Sequence, residues 1–172
     1  MTLRPGRTIR KIKRPYTRVS RKKPRKSYVV GVPYPKIHIF EIGKKSEKYN
    51  TVLYLVSEED AQIRDCALEA SRIVAVKHLA KKLGEEGFFM KVLVYPHQVL
   101  REHSIAMGAG ADRYSQGMAH AFGHPSGIAV RSRTGQRLIQ LNVKESDLKL
   151  AKEALKMAAS KVSTKTRIEL KK

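Results

Sequence analysis

The chain has 172 residues, 41% of them apolar. That is enough for one domain with a real core, and it argues against global disorder. The net charge of +21 points to a polyanionic partner and says nothing about fold. No apolar run approaches the roughly 18–20 residues of a membrane span, the start lacks the apolar core of a signal peptide, and the lone cysteine, Cys66, leaves no internal disulfide.

Residues 1–26 hold twelve cations: Arg4, Arg7, Arg10, Lys11, Lys13, Arg14, Arg18, Arg21, Lys22, Lys23, Arg25 and Lys26. With Lys36 they precede the first acid, Glu41. Such a block repels itself and stays extended until an anion neutralises it. Tyr16 and Tyr28 among the charges are placed to stack on bases or riboses. An organelle transit peptide shares this composition, but Pro5, Pro15 and Pro24 spoil the amphipathic helix it would need. Residues 1–35 are therefore expected to be a basic extension, disordered when free and folded into a groove on nucleic acid. A single domain over 36–172 follows.

Gly31-Val32-Pro33-Tyr34-Pro35 reads as a rigid connector. Lys36 to Ile42 alternates as a strand ending at Gly43, and Thr51 to Val56 reads as a buried strand, so a hairpin is expected. Ser57 reads as a helix cap, with Glu58, Glu59 and Asp60 at the positive end of the dipole. Ile63, Ala67, Ala70 and Val74 supply that helix's apolar stripe, with Cys66 beside them as a core residue, and Gly84 stops it. A strand over Phe88–Tyr95 presents Met90, Val92 and Val94 on one face, and His97–Ala106 reads as a weaker strand. Ile128–Arg131 and Arg137–Val143 read as strands around a turn at Thr134-Gly135-Gln136. Ser146 begins a second helix, with Leu148, Ala151, Leu155, Ala158 and Val162 on one side and Lys149, Lys152, Lys156 and Lys161 on the other. Thr166 to Leu170 closes the chain as a strand. The expected class is α+β, a mixed-sheet sandwich with two helices on one sheet face.

Met107 to Gly127 fits neither period and holds five of the eleven glycines. Compact domains rarely carry such a length of irregular chain unless it is functional or disordered. It reads as an arm at about 103–127, joining the strand before it to the strand after it. Glycine lets the arm's backbone approach phosphate and ribose closely. Arg113, Tyr114, Gln116 and His120 can bond or stack with unpaired bases.

No catalytic set emerges. His120 and His124 have a spacing open to metal, but only Asp112 stands nearby as an acid and no cysteine does. Ser104 and Ser115 lack a nucleophile elbow, and Gly108-Ala109-Gly110 lacks the Gly-Lys-Ser/Thr of a phosphate loop. The reading from the residues is a non-enzymatic polyanion-binding protein without cofactor or metal. Two rivals remain: a small RNA-processing or RNA-modifying enzyme using His97, His103 or His120, and an architectural DNA-binding protein.

Lys26-Ser27-Tyr28, Gly31-Val32-Pro33 and Pro35-Lys36-Ile37-His38-Ile39-Phe40 resemble the start of the universal large-subunit ribosomal protein L-sixteen family, in its archaeal and eukaryotic branch, L-ten-e. Pro96-His97-Gln98-Val99-Leu100-Arg101-Glu102, Gly108-Ala109-Gly110-Ala111-Asp112-Arg113, Gly117-Met118 and Ala121-Phe122-Gly123 are similar to that family's central segment. The resemblance implies an α/β-hammerhead fold, a cytoplasmic ribosomal location and binding to large-subunit rRNA near the aminoacyl-tRNA site. Its implied partners are rRNA, tRNA and neighbouring ribosomal proteins, with no membrane and no homo-oligomer. The twelve N-terminal cations with Arg101, Arg113, Arg131 and Arg133 would contact RNA, the last four on the arm side. The arm residues Gly108, Gly110, Asp112, Arg113, Gln116, Gly117 and Met118 would lie near tRNA. His120, His124 and Ser126 receive no role.

Overall fold

A computed structural model of the protein describes residues 4–12, 29–46, 49–103, 105–106, 108–115, 117–119 and 121–171. Among the described residues, eight strands and two α-helices run in the order β1 (Glu41–Gly43), β2 (Thr51–Ser57), β3 (Ala61–Arg64), α1 (Asp65–Leu83), β4 (Phe89–Val92), β5 (Gln98–Glu102), β6 (His124–Ser132), β7 (Arg137–Val143), α2 (Leu148–Ala159) and β8 (Thr166–Lys171). They form a five-stranded sheet, β1-β4-β7-β2-β8, and a three-stranded sheet, β3-β6-β5. Each pairing among the described strands is antiparallel. The class is α+β with two helices, as the sequence implies.

The larger sheet is built around β2 and β7, whose registry sets Leu53 opposite Leu141 and Leu55 opposite Ile139. All four are fully buried, against the α2 stripe of Ala151, Ala154, Leu155 and Ala158. That stripe recurs every three or four residues, while Lys149, Lys152 and Lys156 stay exposed. Helix α1 packs on α2 and reaches the smaller sheet through β3 and β6. The α1–α2 seam carries a charge contact as well, since Glu153 lies 3.5 Å from His78 and 3.9 Å from Lys82.

Several expectations are corrected. Ser57 is the last residue of β2 and caps no helix; its N–H donates to the Gln136 carbonyl (2.9 Å). Its hydroxyl donates to the Glu59 carbonyl (2.8 Å). The helix starts eight residues later, at Asp65, after a strand the sequence reading did not separate. Ile63 therefore belongs to β3, and the buried side of α1 is Leu68, Ser71, Ala75 and Leu79. Cys66 is only half-buried, off that side. The C-terminal end is as expected: Gly84 takes φ +73° and its N–H donates to the Ala80 carbonyl.

The β1–β2 hairpin does not form. Strand β1 pairs with β4, and β2 lies between β7 and β8. Only three residues, Glu41–Gly43, enter a ladder where the longer strand from Lys36 was expected. Lys36 instead donates its N–H to Asp65 Oδ2 (2.9 Å), and Ile37 is buried. Strands β6 and β7 flank the Gly135 turn yet belong to different sheets, so the chain crosses between layers there. Asp60 holds that crossing, accepting from the Thr134 N–H (2.7 Å) and hydroxyl (2.9 Å). Those two hydrogen bonds, the backbone one foremost, keep the Asp60 carboxyl below the usual carboxylate range.

Candidate nucleic-acid interface

The arm is the connection of a hairpin. Strands β5 and β6 pair from Gln98 opposite Ala129 to Glu102 opposite His124, with a bulge at Leu100/Arg101 that turns the ribbon's end. The irregular stretch is thus 103–123, four residues shorter than read from sequence, because β6 begins at His124. Gly123 is where the loop returns. It takes φ +75°, and a Cβ there would lie 2.6 Å from the Glu102 carbonyl carbon and oxygen. Only glycine lets the two backbones close at that distance.

Arg101 fastens this root. Its Nη1 donates to the Gly123 carbonyl (3.0 Å), and its guanidinium lies 4.3 Å from the centroid of the Phe122 ring. His103 reaches further in, its Nε2 donating to the Gly117 carbonyl (2.5 Å). Beyond these ties the arm turns on Gly108, Gly110 and Gly117, all at positive φ, with a short 3₁₀ turn over Ala111–Arg113 that includes Asp112. Arg113 is exposed, as are Tyr114, Met118 and Phe122 at 76%, 69% and 63%. A rigid root thus carries a tip of aromatic, thioether and guanidinium groups facing solvent, the combination suited to stacking on bases and pairing with phosphates.

The described part of the basic extension is docked on the body. Residues 4–12 form a strap across the smaller sheet. Gln62 on β3 receives it: its N–H donates to the Arg10 carbonyl (2.7 Å), and its Nε2 donates to the carbonyls of Ile9 (2.8 Å) and Lys11 (2.9 Å). Arg4 pairs with Glu102 (2.6 Å) and donates to the His103 carbonyl (3.2 Å), while Arg64 donates back to the Arg4 carbonyl. Arg10 pairs with Glu59, which also meets Lys165 at 3.5 Å. Arg4 and Arg10 are therefore engaged by carboxylates of the chain, whereas Arg7 and Lys11 are exposed.

The remaining candidates divide. Lys13, Arg14, Arg18, Arg21, Lys22, Lys23, Arg25, Lys26 and Gln116 lie outside the described residues. Arg131 and Arg133 do not join Arg101 and Arg113. Arg131 stands opposite Gln62, seven positions along β6 from His124, roughly 24 Å of strand from the arm's root. They lie at the far end of the hairpin, where residues 9–11 of the strap meet Gln62, while Arg4 reaches back to the arm's root. Two cationic regions result, one at each end of β6. The reading from sequence missed Gln62, Glu102 and Asp65, whose bonds to Ile9, Arg4 and Lys36 span 53, 98 and 29 residues.

The family model for ribosomal protein L16p/L10e matches residues 15–169. The chain is 42% identical to the large ribosomal subunit protein uL16 of Archaeoglobus fulgidus, over all of this chain and 95% of that one. It is 44% identical to uL16 of Sulfolobus acidocaldarius (99% of this chain, 94% of that one) and 46% identical to uL16 of Saccharolobus solfataricus (99% and 93%). With the relatives matching across strap, both sheets and arm together, the chain belongs to the ribosomal protein L16p/L10e family.

Proposed function

We propose that this protein is a structural constituent of the cytoplasmic large ribosomal subunit, bound to its rRNA and holding the β5–β6 arm toward tRNA near the aminoacyl-tRNA site. The relatives are named as ribosomal proteins and not as enzymes. The observation that carries the reading is the fastened root with an exposed tip: Arg101 and Gly123 fix the direction, and Arg113, Tyr114 and Met118 meet the partner. The N-terminal cations, with Arg131 and Arg133, anchor the body through phosphates, and neighbouring ribosomal proteins complete the surroundings. Chemistry at such a site belongs to RNA, so the protein needs only to position.

Deletion of residues 1–26 tests the anchor. Every phosphate that the shortened chain leaves unneutralised lowers the slope of log affinity against log salt by roughly 0.7–0.9. The truncated chain is expected to bind large-subunit rRNA more weakly and with a flatter slope, and to leave large subunits at lower salt in sedimentation. Unchanged affinity and slope would refute the anchoring role. A full-length chain that never sediments with large subunits would refute the assignment.

A further inference from the structure

A cavity of about 360 Å³ lies beneath the strap, between the connector before β1, the start of α1 and the facing parts of β5 and β6. Its size falls within the range of small-molecule sites. Arg4, Lys36, Arg64 and Arg101 line it against only two acids, Asp65 and Glu102. Both acids are already engaged: Glu102 by Arg4, and Asp65 by the N–H groups of Lys36 (2.9 Å) and Cys66 (2.7 Å). The cavity therefore holds an excess of positive charge. Arg101 adds a buried Nε with no hydrogen-bond partner among the described residues, so its charge there is only partly offset.

Gly127 leaves one wall of the cavity open. It sits within β6 opposite Leu100, and both line the cavity. Its φ lies outside the left-handed range, and a Cβ there would meet nothing within 4 Å. Neither torsion nor crowding requires glycine, although glycine weakens a strand. What its bare backbone does is leave that wall open for another molecule to approach. Tyr34, also lining the cavity, is 91% exposed and available to stack.

We propose that this cavity receives one unstacked nucleotide of the bound RNA, its base against Leu100, Gly127 and Ile128 and its phosphate among Arg4, Arg64 and Arg101. The inference rests on the rRNA-binding reading. Proteins read RNA sequence chiefly from bases splayed out of the helix, against apolar or aromatic walls with cations alongside.

The test uses the full chain, deproteinised large-subunit rRNA, and the variants Gly127→Leu and Arg64→Met. Affinity is measured across salt concentrations, and rRNA reactivity is probed chemically at single-nucleotide resolution. Gly127→Leu fills the cavity without removing charge. It is expected to weaken binding by about 5- to 150-fold, the range for losing one stacked base. Its salt slope should stay as in wild type, with one nucleotide that wild type protects becoming reactive. Arg64→Met should lower the slope by about one and expose the same nucleotide, a readout that serves even if Gly127→Leu does not fold. Wild-type affinity and footprint for a folded Gly127→Leu would overturn the proposal, as would exposure of a different nucleotide by Arg64→Met. A photocrosslink from Tyr34 to a neighbouring protein rather than to RNA in assembled subunits would also overturn it. If the wild-type chain fails to bind rRNA, the parent reading falls; if it binds and the variants behave as wild type, the cavity alone is misassigned.

Discussion

Replacing Gly123 with alanine tests whether the arm is aimed by its root. Gly110 is the matched control, because it too has positive φ, +81°, but a Cβ there meets nothing within 4 Å. Left-handed backbone costs a non-glycine residue about 1–2 kcal/mol. Restricting the unfolded chain returns about 0.4–1 kcal/mol. Gly110→Ala is therefore expected to cost about 1 kcal/mol. At Gly123 the new methyl would stand 2.6 Å from the Glu102 carbonyl and 2.7 Å from the His103 nitrogen. These are backbone atoms at the end of the paired strand and cannot rotate aside, so an overpacking cost of about 1–3 kcal/mol is added. The total comes to about 2–4 kcal/mol, relieved only by opening the Arg101–Gly123 hydrogen bond and the last rung of the ladder. Urea denaturation of both variants, with amide exchange at Glu102 and His124, measures this. Faster exchange at those two amides is expected in Gly123→Ala alone. Equal costs and equal exchange in the two variants would refute the claim that close packing at the root directs the arm.

Gln62→Ala removes two side-chain hydrogen bonds to the strap, about 1 kcal/mol each. Trypsin should then cut faster after Arg7, Arg10 and Lys11, and an unchanged rate would contradict docking of the strap. Leu141→Ala empties a fully buried position beneath α2 and should cost about 2–5 kcal/mol in urea denaturation; a cost under about 1 kcal/mol would contradict its place in the core. Acid should destabilise the protein through Asp60 and Glu41. Both are held below ordinary carboxylate values, Asp60 by Thr134 and Glu41 by its hydrogen bond and ion pair with Lys91. A lowered folded pKa gives stability that is complete above the unfolded value, about 4, and is lost as pH falls through the folded value. Asp60→Asn should flatten the fall in urea midpoint below about pH 4, and identical profiles for variant and wild type would refute the role of Asp60.

Local chemistry was legible in the sequence, and distant pairing was not. Helix α2 could be read because its apolar spacing is intact, although it ends at Ala159, short of the Lys161 and Val162 assigned to its two sides. Strand β7 over Arg137–Val143 and the Gly84 stop were likewise written in adjacent residues. Ser57-Glu58-Glu59-Asp60 misled because it has the residues of a helix start. Two of its acids serve distant partners instead: Glu59 meets Arg10 and Lys165, and Asp60 meets Thr134. The hairpin expectation failed for a related reason, since β2 pairs with β7 and β8, far along the chain, and no periodicity encodes those partners. At the interface the arm was evident from its glycines. Arg101 also donates to Gly123 at the arm's own base, a tie no local pattern encodes, because a cation's partners depend on which acceptors the fold brings near.

The strap has a consequence for how the protein is made. Arg4 leaves the exit tunnel long before its carboxylate partner exists, since Glu102 lies 98 positions later. At usual elongation rates of about 5–20 residues per second, the wait is roughly 5–20 s. Throughout that interval Arg4 stands without its carboxylate, and only the synthesis of β5 supplies it.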